Sequence, residues 1–192
     1  VYDYSATGWV QIGSDIIGEA AADLFGHAVS ISSDGSRLAI GADRNDRGNA
    51  SGDDGGHARI YEYDGTNWNQ LGSDIDGEGA DDRFGHAISL SGSGTRVAIG
   101  AERNDRGNGG ADNGGHVRVY EYDGTSWNQL GSDLDGAAAG DFFGYSVALD
   151  FDGSHLVVGS VLTDGGGTDA GAVYVYEYNG TGSWSQIGSD ID

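Results

Sequence analysis

The side chains best suited to chemistry in this sequence are acidic, and they recur in two glycine-rich segments. These are DRNDRGNASGDDGG at residues 43–56 and ERNDRGNGGADNGG at residues 102–115. Carboxylate and amide oxygens along a glycine-rich loop can surround a hard cation, and calcium accepts about six to eight such oxygens. The pattern predicts calcium ligands, with candidates Asp43, Asn45, Asp46, Asp53, Asp54, Glu102, Asn104, Asp105 and Asp112. A second interpretation stays open, in which the glycines form turns, Asp and Asn cap them, and arginines pair with the acids.

A third acidic segment, SDIDGEGADD at residues 73–82, contributes further candidates. They are Asp74, Asp76 and Glu78, whose D-x-D-x-E order resembles part of a calcium loop. This order makes the segment a second candidate calcium site, although the full EF-hand pattern is missing.

Histidine and tryptophan also recur at fixed positions. His27 and His86 each follow a Phe-Gly pair, on a strand face shared with apolar residues. We expect them to be structural histidines, satisfied by hydrogen bonds across the fold. Zinc is disfavoured because each loop holds one histidine and the chain has no cysteine. Four recurrent tryptophans favour packing over carbohydrate stacking; they are Trp9, Trp68, Trp127 and Trp184.

No catalytic arrangement is recognisable in the sequence. It has no G-x-S-x-G elbow, no phosphate-binding Walker loop and no paired-histidine motif. The sequence therefore predicts that the chain is not an enzyme.

The charge of the chain restricts its partners. Thirty-one acids against nine arginines give a net charge of −22 in 192 residues. Such a surface repels phosphate backbones and anionic lipid, so neither nucleic-acid binding nor direct membrane insertion is expected. Asn49 and Asn179 match the N-glycosylation pattern, which has meaning only if the protein is secreted by a eukaryote.

Internal repetition predicts the elements that carry these residues. Trp9, Trp68 and Trp127 are 59 residues apart, and FGHAVSIS at residues 25–32 recurs as FGHAISLS and FGYSVALD. Each unit holds four short segments of strand character, at residues 25–31, 37–42, 57–63 and 67–72 in the first unit. Four antiparallel strands in such a repeat make one blade of a β-propeller.

The repeated motifs resemble a known family. FGHAVSIS…DGSRLAIGA and its two later copies are similar to FG-GAP repeats, the blades of integrin-α-type propellers. The resemblance implies a β-propeller with an extracellular adhesive, ligand-binding or lectin-like role. Asp43 and Glu102 stand where the family usually has proline. The family's calcium loop between first and second strands is absent from the first two units, and only Asp150 and Asp152 remain of it in the third.

The predicted architecture is all-β, with about three full blades and an N-terminal half-blade. Residues 1–24 form the third and fourth strands of an incomplete blade, and blades follow at 25–83, 84–142 and 143–192. The ring would be completed by further blades of a longer propeller or by another copy. The predicted function is an extracellular or cell-surface, non-catalytic binding module that engages a protein, matrix or glycan ligand. A lectin-like, carbohydrate-binding propeller is the alternative.

Overall fold

The computed structural model describes residues 1–46, 52–105 and 112–192, so the candidate glycosylation site Asn49 lies outside the described residues. The described residues form sixteen β-strands and no helix, hence no helix that could cross a membrane. The strands are β1 Tyr2–Ser5, β2 Gly8–Gln11, β3 Ala28–Ile31, β4 Arg37–Ala42, β5 His57–Tyr63, β6 Trp68–Gln70, β7 Ile75–Asp76, β8 Ala87–Leu90, β9 Arg96–Ala101, β10 His116–Tyr122, β11 Trp127–Gln129, β12 Leu134–Asp135, β13 Phe143–Leu149, β14 His155–Ser160, β15 Ala172–Tyr178 and β16 Trp184–Gln186.

Three four-stranded antiparallel sheets follow one another along the chain. Their strand orders are β3-β4-β5-β6, β8-β9-β10-β11 and β13-β14-β15-β16, and the hairpin β1-β2 precedes them. The innermost strands β3, β8 and β13 contact one another in sequence, as neighbouring blades do around an axis. The predicted all-β fold of consecutive propeller blades is confirmed.

Two local features depart from the sequence prediction. The segment at residues 25–31 was expected to be one strand, but Leu24 and Gly26 have φ angles of 54° and 92°, so β3 begins only at Ala28. Two short strands, β7 and β12, were not predicted. They run through the acidic blade connections and pair with β5 and β10.

Glycines allow the blades to approach closely. A Cβ on Gly41 of the first blade would lie 2.1 Å from the carbonyl oxygen of Gly85 in the second, and Gly100 meets Gly144 in the same way. The FG glycine of one blade thus packs directly on the GA glycine of the blade before it. Close approach of two backbones is a role that only glycine fills.

Aromatic residues complete the contact between blades. Phe84 is fully buried, packs edge-on against His116 and Tyr120 of its own blade, and shares one hydrophobic core with Ile60 of the first blade. The indole N–H of Trp127 donates to the carbonyl of Leu71 in the preceding blade, and Trp68 and Trp184 repeat this contact. Three of the four repeated tryptophans therefore pack between blades, whereas Trp9 is 70% exposed on the N-terminal hairpin.

Candidate functional site

One end of the blades holds the acidic segments singled out in the sequence. The second-to-third-strand loops and the blade connections meet there: the Asn45 amide donates to Asp23 at 3.0 Å, and the Asn104 amide donates to Asp82 at 2.9 Å. We call this end the loop rim. The described residues contain five buried carboxylates, all on the loop rim: Asp23, Asp43, Asp82, Glu102 and Asp141.

Several predicted calcium ligands act as hydrogen-bond acceptors within their own loops. The Oδ1 atom of Asp46 accepts from the backbone N–H groups of Gly52, Asp53 and Asp54, at 2.9 to 3.3 Å. In the next blade, Asp105 accepts from the N–H groups of Asp112 and Asn113. These aspartates close the loops, as the second interpretation of the sequence predicted for some of them. Whether the loops also bind calcium stays a prediction.

The blade connections bring their acids to an arginine. Arg59 donates two hydrogen bonds to Asp74, at 2.9 and 2.7 Å, and also pairs with Glu19, while His57 lies beside them. Asp76 lies opposite His57 in the β5–β7 register. The guanidinium of Arg59 lowers the pKa of Asp74.

The same group recurs one blade later. Arg118 bridges Glu78 and Asp133, with His116 adjacent. Burial lowers the pKa of His116 to about 4, so this imidazole is neutral at physiological pH. We call the two sets of side chains the arginine-bridged groups. In each group, the arginine forms ion pairs with both acids.

A different cluster lies where the inner strands of the first two blades meet. It contains His27, Asp43, His86 and Glu102, and we call it the axial cluster. The two histidine rings lie with their centroids 4.9 Å apart and their planes tilted by 38°. Asp43 faces His27 Nδ1 at 3.6 Å and His86 Nδ1 at 3.5 Å, and His86 Nδ1 lies 3.6 Å from Glu102.

These separations correct the expectation that the histidines are satisfied by hydrogen bonds. They exceed the roughly 2.7–3.2 Å of a protein N–H···O hydrogen bond. Within the described part of the chain, six buried side-chain polar atoms have no hydrogen-bond partner, and five belong to this neighbourhood. The five are Asp43 Oδ1, His86 Nδ1, Glu102 Oε2, Arg83 Nε and Arg103 Nε.

The two carboxyl groups of the axial cluster differ in their electrostatics. Burial alone would raise the pKa of Asp43, but the neighbouring His86, His27 and Arg83 outweigh it and lower the pKa. Burial dominates at Glu102 and raises its pKa. Asp43 is therefore the member of the cluster that holds its negative charge most firmly.

A cavity of about 340 Å³ adjoins the axial cluster between the second and third blades. Its polar side is formed by Arg83, which directly precedes the second blade, and by His86, Glu102 and Arg103 of that blade. Their counterparts 59 residues later are apolar or aromatic, so the cavity has one charged wall and one apolar wall. This second wall consists of Phe142, Tyr145, Val161 and Leu162.

Sequence reasoning found part of this site. Asp43 and Glu102 were among the predicted ligands, whereas His27 and His86 were expected to be structural. Zinc was disfavoured because each loop holds one histidine, but adjacent blades place equivalent histidines side by side. The signal was present in the 59-residue spacing of the two histidines, since equivalent positions of neighbouring blades meet at the axis.

Comparisons with known proteins agree with the fold. Residues 134–176 match the family model described as the FG-GAP repeat, and no curated protein matches the chain. A putative 6-phosphogluconolactonase from Bacteroides fragilis is 15% identical with a TM-score of 0.59, covering 99% of this chain and 43% of that one. The periplasmic gluconolactonase PpgL from Pseudomonas aeruginosa is 16% identical with a TM-score of 0.55, covering 92% of this chain and 45% of that one. The chain thus spans less than half the length of these solved structures.

These matches overturn the prediction that the chain is not an enzyme. A putative 6-phosphogluconolactonase from Bacteroides uniformis, 14% identical, matches 97% of this chain and 49% of its own with a TM-score of 0.57. Such low identity shows the fold alone, but proteins named as lactonases share that fold. The absence of familiar catalytic motifs therefore does not exclude catalysis.

Four-stranded blades, the 59-residue spacing of their motifs and the match at residues 134–176 agree with one another. The FG and GA motifs that carried the resemblance are the points where neighbouring blades meet. The chain is an array of β-propeller blades, and its residues 134–176 match the FG-GAP repeat.

Proposed function

We propose that the loop rim is the recognition surface of an extracellular or cell-surface propeller, and that calcium held by its acidic loops supports binding to a protein, matrix or glycan partner. The observation that carries this proposal is the burial of five carboxylates at that one rim. Aspartate and glutamate are among the residues least often fully buried, because an ionised carboxylate loses its hydration there. A rim built around such groups suits a cation or a basic partner.

The charge of the whole chain supports the same proposal. A net charge of −22 raises the local concentration of cations and speeds the approach of a basic partner. The opposite rim is made of tight turns, such as the one closed by Asp123, whose Oδ1 accepts from the N–H groups of Thr125 and Ser126. The long loops therefore offer the more variable surface, which is where binding residues concentrate on rigid scaffolds.

Thermal melting with calcium and with chelator tests the calcium part. We expect calcium to raise the melting temperature of the wild type but not of the double variant Asp46→Asn/Asp105→Asn. Asp123→Asn is the matched control, because it also removes a loop-closing carboxylate but on the other rim. Melting curves that do not respond to calcium or chelator would refute calcium binding.

Capture on arrays of matrix proteins and glycans, with and without calcium, tests recognition. Calcium-dependent capture that is lost in the Asp46→Asn/Asp105→Asn variant supports the proposal. Capture that is absent, or unchanged in the variant, contradicts it.

A second candidate function is the binding or hydrolysis of a sugar-derived ligand in the cavity beside the axial cluster. Arg83 and Arg103 could hold an anionic group there, and His86 and Glu102 could transfer protons. The similar structures named as lactonases favour this candidate, whereas three of the four repeated tryptophans do not, because they pack between blades. Hydrolysis of gluconolactone or 6-phosphogluconolactone that is lost in Arg103→Met would support it. No turnover by the wild type would oppose hydrolysis, and a glycan array without signal would oppose binding.

A further inference from the structure

We propose that His27, Asp43 and His86 form a binding site for a divalent transition-metal ion, with zinc as the best-matched ion. The proposal is independent of calcium binding or partner recognition by the loop rim. It concerns one end of the axial cluster, where two neighbouring blades each contribute a histidine and the first blade contributes a carboxylate.

The distances between the three side chains fit a metal ion better than hydrogen bonds. Asp43 Oδ1 lies 3.6 Å from His27 Nδ1, and the other carboxylate oxygen, Oδ2, lies 3.5 Å from His86 Nδ1. Zinc bonds of about 2.0–2.2 Å at tetrahedral angles place two ligand atoms roughly 3.3–3.6 Å apart. The ligand atoms of all three residues lie within 4.8 Å of one another. One ion between them could contact each with small side-chain adjustments.

The buried carboxylate has one oxygen atom without a hydrogen-bond partner, and a metal ion could coordinate that oxygen. The Asp43 side chain is 2% exposed, and its Oδ1 atom has no hydrogen-bond partner in the described residues. His86 Nδ1, which faces the other oxygen of the same carboxylate, also lacks a partner. Leaving buried polar atoms unpaired is costly, and nearly all such atoms in folded proteins have a partner.

The arginine-bridged groups provide an internal comparison. Glu19–His57–Asp74 and Glu78–His116–Asp133 also bring a histidine and carboxylates within reach of one ion. In both, an arginine bridges the two acids and occupies the place of the cation. Among the described residues, Asp43 forms ion pairs with His27 and His86 rather than with an arginine. The axial triad is thus the group in which no arginine of the described residues forms an ion pair with the carboxylate.

The donor set selects the class of ion. Two imidazole nitrogens and one carboxylate oxygen suit zinc and its neighbours, whereas calcium requires about six to eight oxygens. Three protein ligands leave a fourth position for water or for a group from a bound molecule. His27 is about one-third exposed, so an ion can reach the site from solvent.

Isothermal titration of the untagged, metal-free chain with zinc chloride tests the proposal. We expect one zinc ion per chain. His86→Gln and Asp43→Asn should each weaken binding by more than the about 10–100-fold that loss of an outer-shell partner costs. His155→Gln is the matched control, because it removes an exposed histidine that pairs with an aspartate in the third blade. It should leave the affinity unchanged.

Two further readouts separate lost binding from lost folding. Cobalt(II) should give the strong visible absorption of a tetrahedral site in the wild type and not in His86→Gln. Asp43→Asn should keep a cooperative thermal transition in the metal-free state and should lose the increase in melting temperature that zinc produces in the wild type.

Several outcomes would overturn the assignment. They are no zinc binding by the wild type, equal affinity in wild type and His86→Gln with both correctly folded, and a stoichiometry of three, which would place zinc in the arginine-bridged groups as well. A response to calcium without a response to zinc would also refute this site, while supporting the loop proposal.

Discussion

At the scale of single residues, the acids of the loop rim meet their cationic partners in two ways. Arg118 is 7% exposed and forms two hydrogen bonds of 2.9 Å with Asp133, while also pairing with Glu78. Such fork-like pairs are the stronger kind of charged hydrogen bond. The axial cluster instead leaves its carboxylates facing histidines at longer distances. We expect the first arrangement to stabilise the fold, and the second leaves buried polar atoms without hydrogen-bond partners.

Replacing the bridging arginine should destabilise the fold. We expect Arg118→Gln to lower the free energy of unfolding by about 2–3 kcal/mol, below the roughly 3–5 kcal/mol of fully buried pairs, because Asp133 is one-third exposed. Glu121→Gln, at the exposed end of the Arg96 pair, should cost less than about 1 kcal/mol. Urea unfolding of both variants measures the difference. Equal losses of unfolding free energy in the two variants would show that the Arg118 pairs stabilise the fold no more than an exposed ion pair does.

The pair Asp150–His155 should make the third blade sensitive to pH. Burial alone would raise the pKa of Asp150, but the backbone N–H and imidazole of His155 lower it to about 2, and the hydrogen bond to Asp150 raises the pKa of His155. The carboxylate's contribution to stability is present above its ordinary pKa of 3.8 and is lost as the pH falls towards 2. The imidazolium's contribution is present below its ordinary pKa of 6.5 and is lost as the pH rises through the higher folded value.

The two contributions together are largest between about pH 4 and 6.5. Melting temperatures of wild type and His155→Gln across the pH range measure this directly. The difference between the two proteins should peak in that window and shrink on both sides. A difference that is constant with pH would contradict the pairing.

At the scale of elements, the contact between blades depends on glycine rather than on large side chains alone. Gly41 and Gly100 are the next-to-last residues of β4 and β9, and each meets the backbone of the next blade's FG turn at a distance that excludes a Cβ. Gly159 holds the same position in the third blade, but an added Cβ there would meet only the side chain and backbone of Ser146 in its own blade. The glycine of the GA motif therefore allows close backbone contact with the next blade in the first two blades but not in the third.

Alanine at these positions should separate the two situations. Gly100→Ala would place a Cβ 2.1 Å from the carbonyl oxygen of Gly144, so the blades must move apart. We expect a loss of at least the about 1–3 kcal/mol typical of overpacking. Gly159→Ala should cost less, because the hydroxyl of Ser146, 2.3 Å from the added Cβ, can rotate away. Chemical denaturation compares the two, and equal costs would argue against close backbone packing as the reason for the motif.

At the scale of the whole molecule, repulsion among acids opposes folding. The net charge of −22 is spread over a chain with only nine arginines, and several of those already pair with acids. Salt screens the repulsion between exposed charges that are farther apart than the Debye length. This length is about 10 Å at 0.1 M salt. The folded state should therefore be sensitive to ionic strength.

Sodium chloride should raise the melting temperature of the protein, most steeply at low concentration. The effect should level off once added salt has screened charges that are more than a few ångströms apart. Thermal melts in a salt series measure it, with the uncharged osmolyte sucrose as a control for general effects of cosolute. A melting temperature that falls with salt would mean that attractive pairs outweigh the net repulsion.

The sequence by itself determined the repeat, the four-stranded blades and the rim on which the acids lie. Those features follow from local patterns: short β-branched and aromatic runs, glycine turns and a 59-residue spacing of equivalent motifs. Strand β4, Arg37–Ala42, and strand β5, His57–Tyr63, have the bounds that the sequence predicted. Where a glycine and its neighbours adopt positive φ, as before β3, the pattern alone placed the strand boundary wrongly.

Only the tertiary structure decided which acids meet which cations. Asp74 and Asp43 belong to similar acidic segments, yet Asp74 lies against an arginine and Asp43 between two histidines from different blades. That difference depends on contacts between residues far apart in the chain, which blade packing sets and no local pattern encodes. The axial cluster exists because blade packing brings residues of two blades together and leaves several of their buried polar atoms without partners.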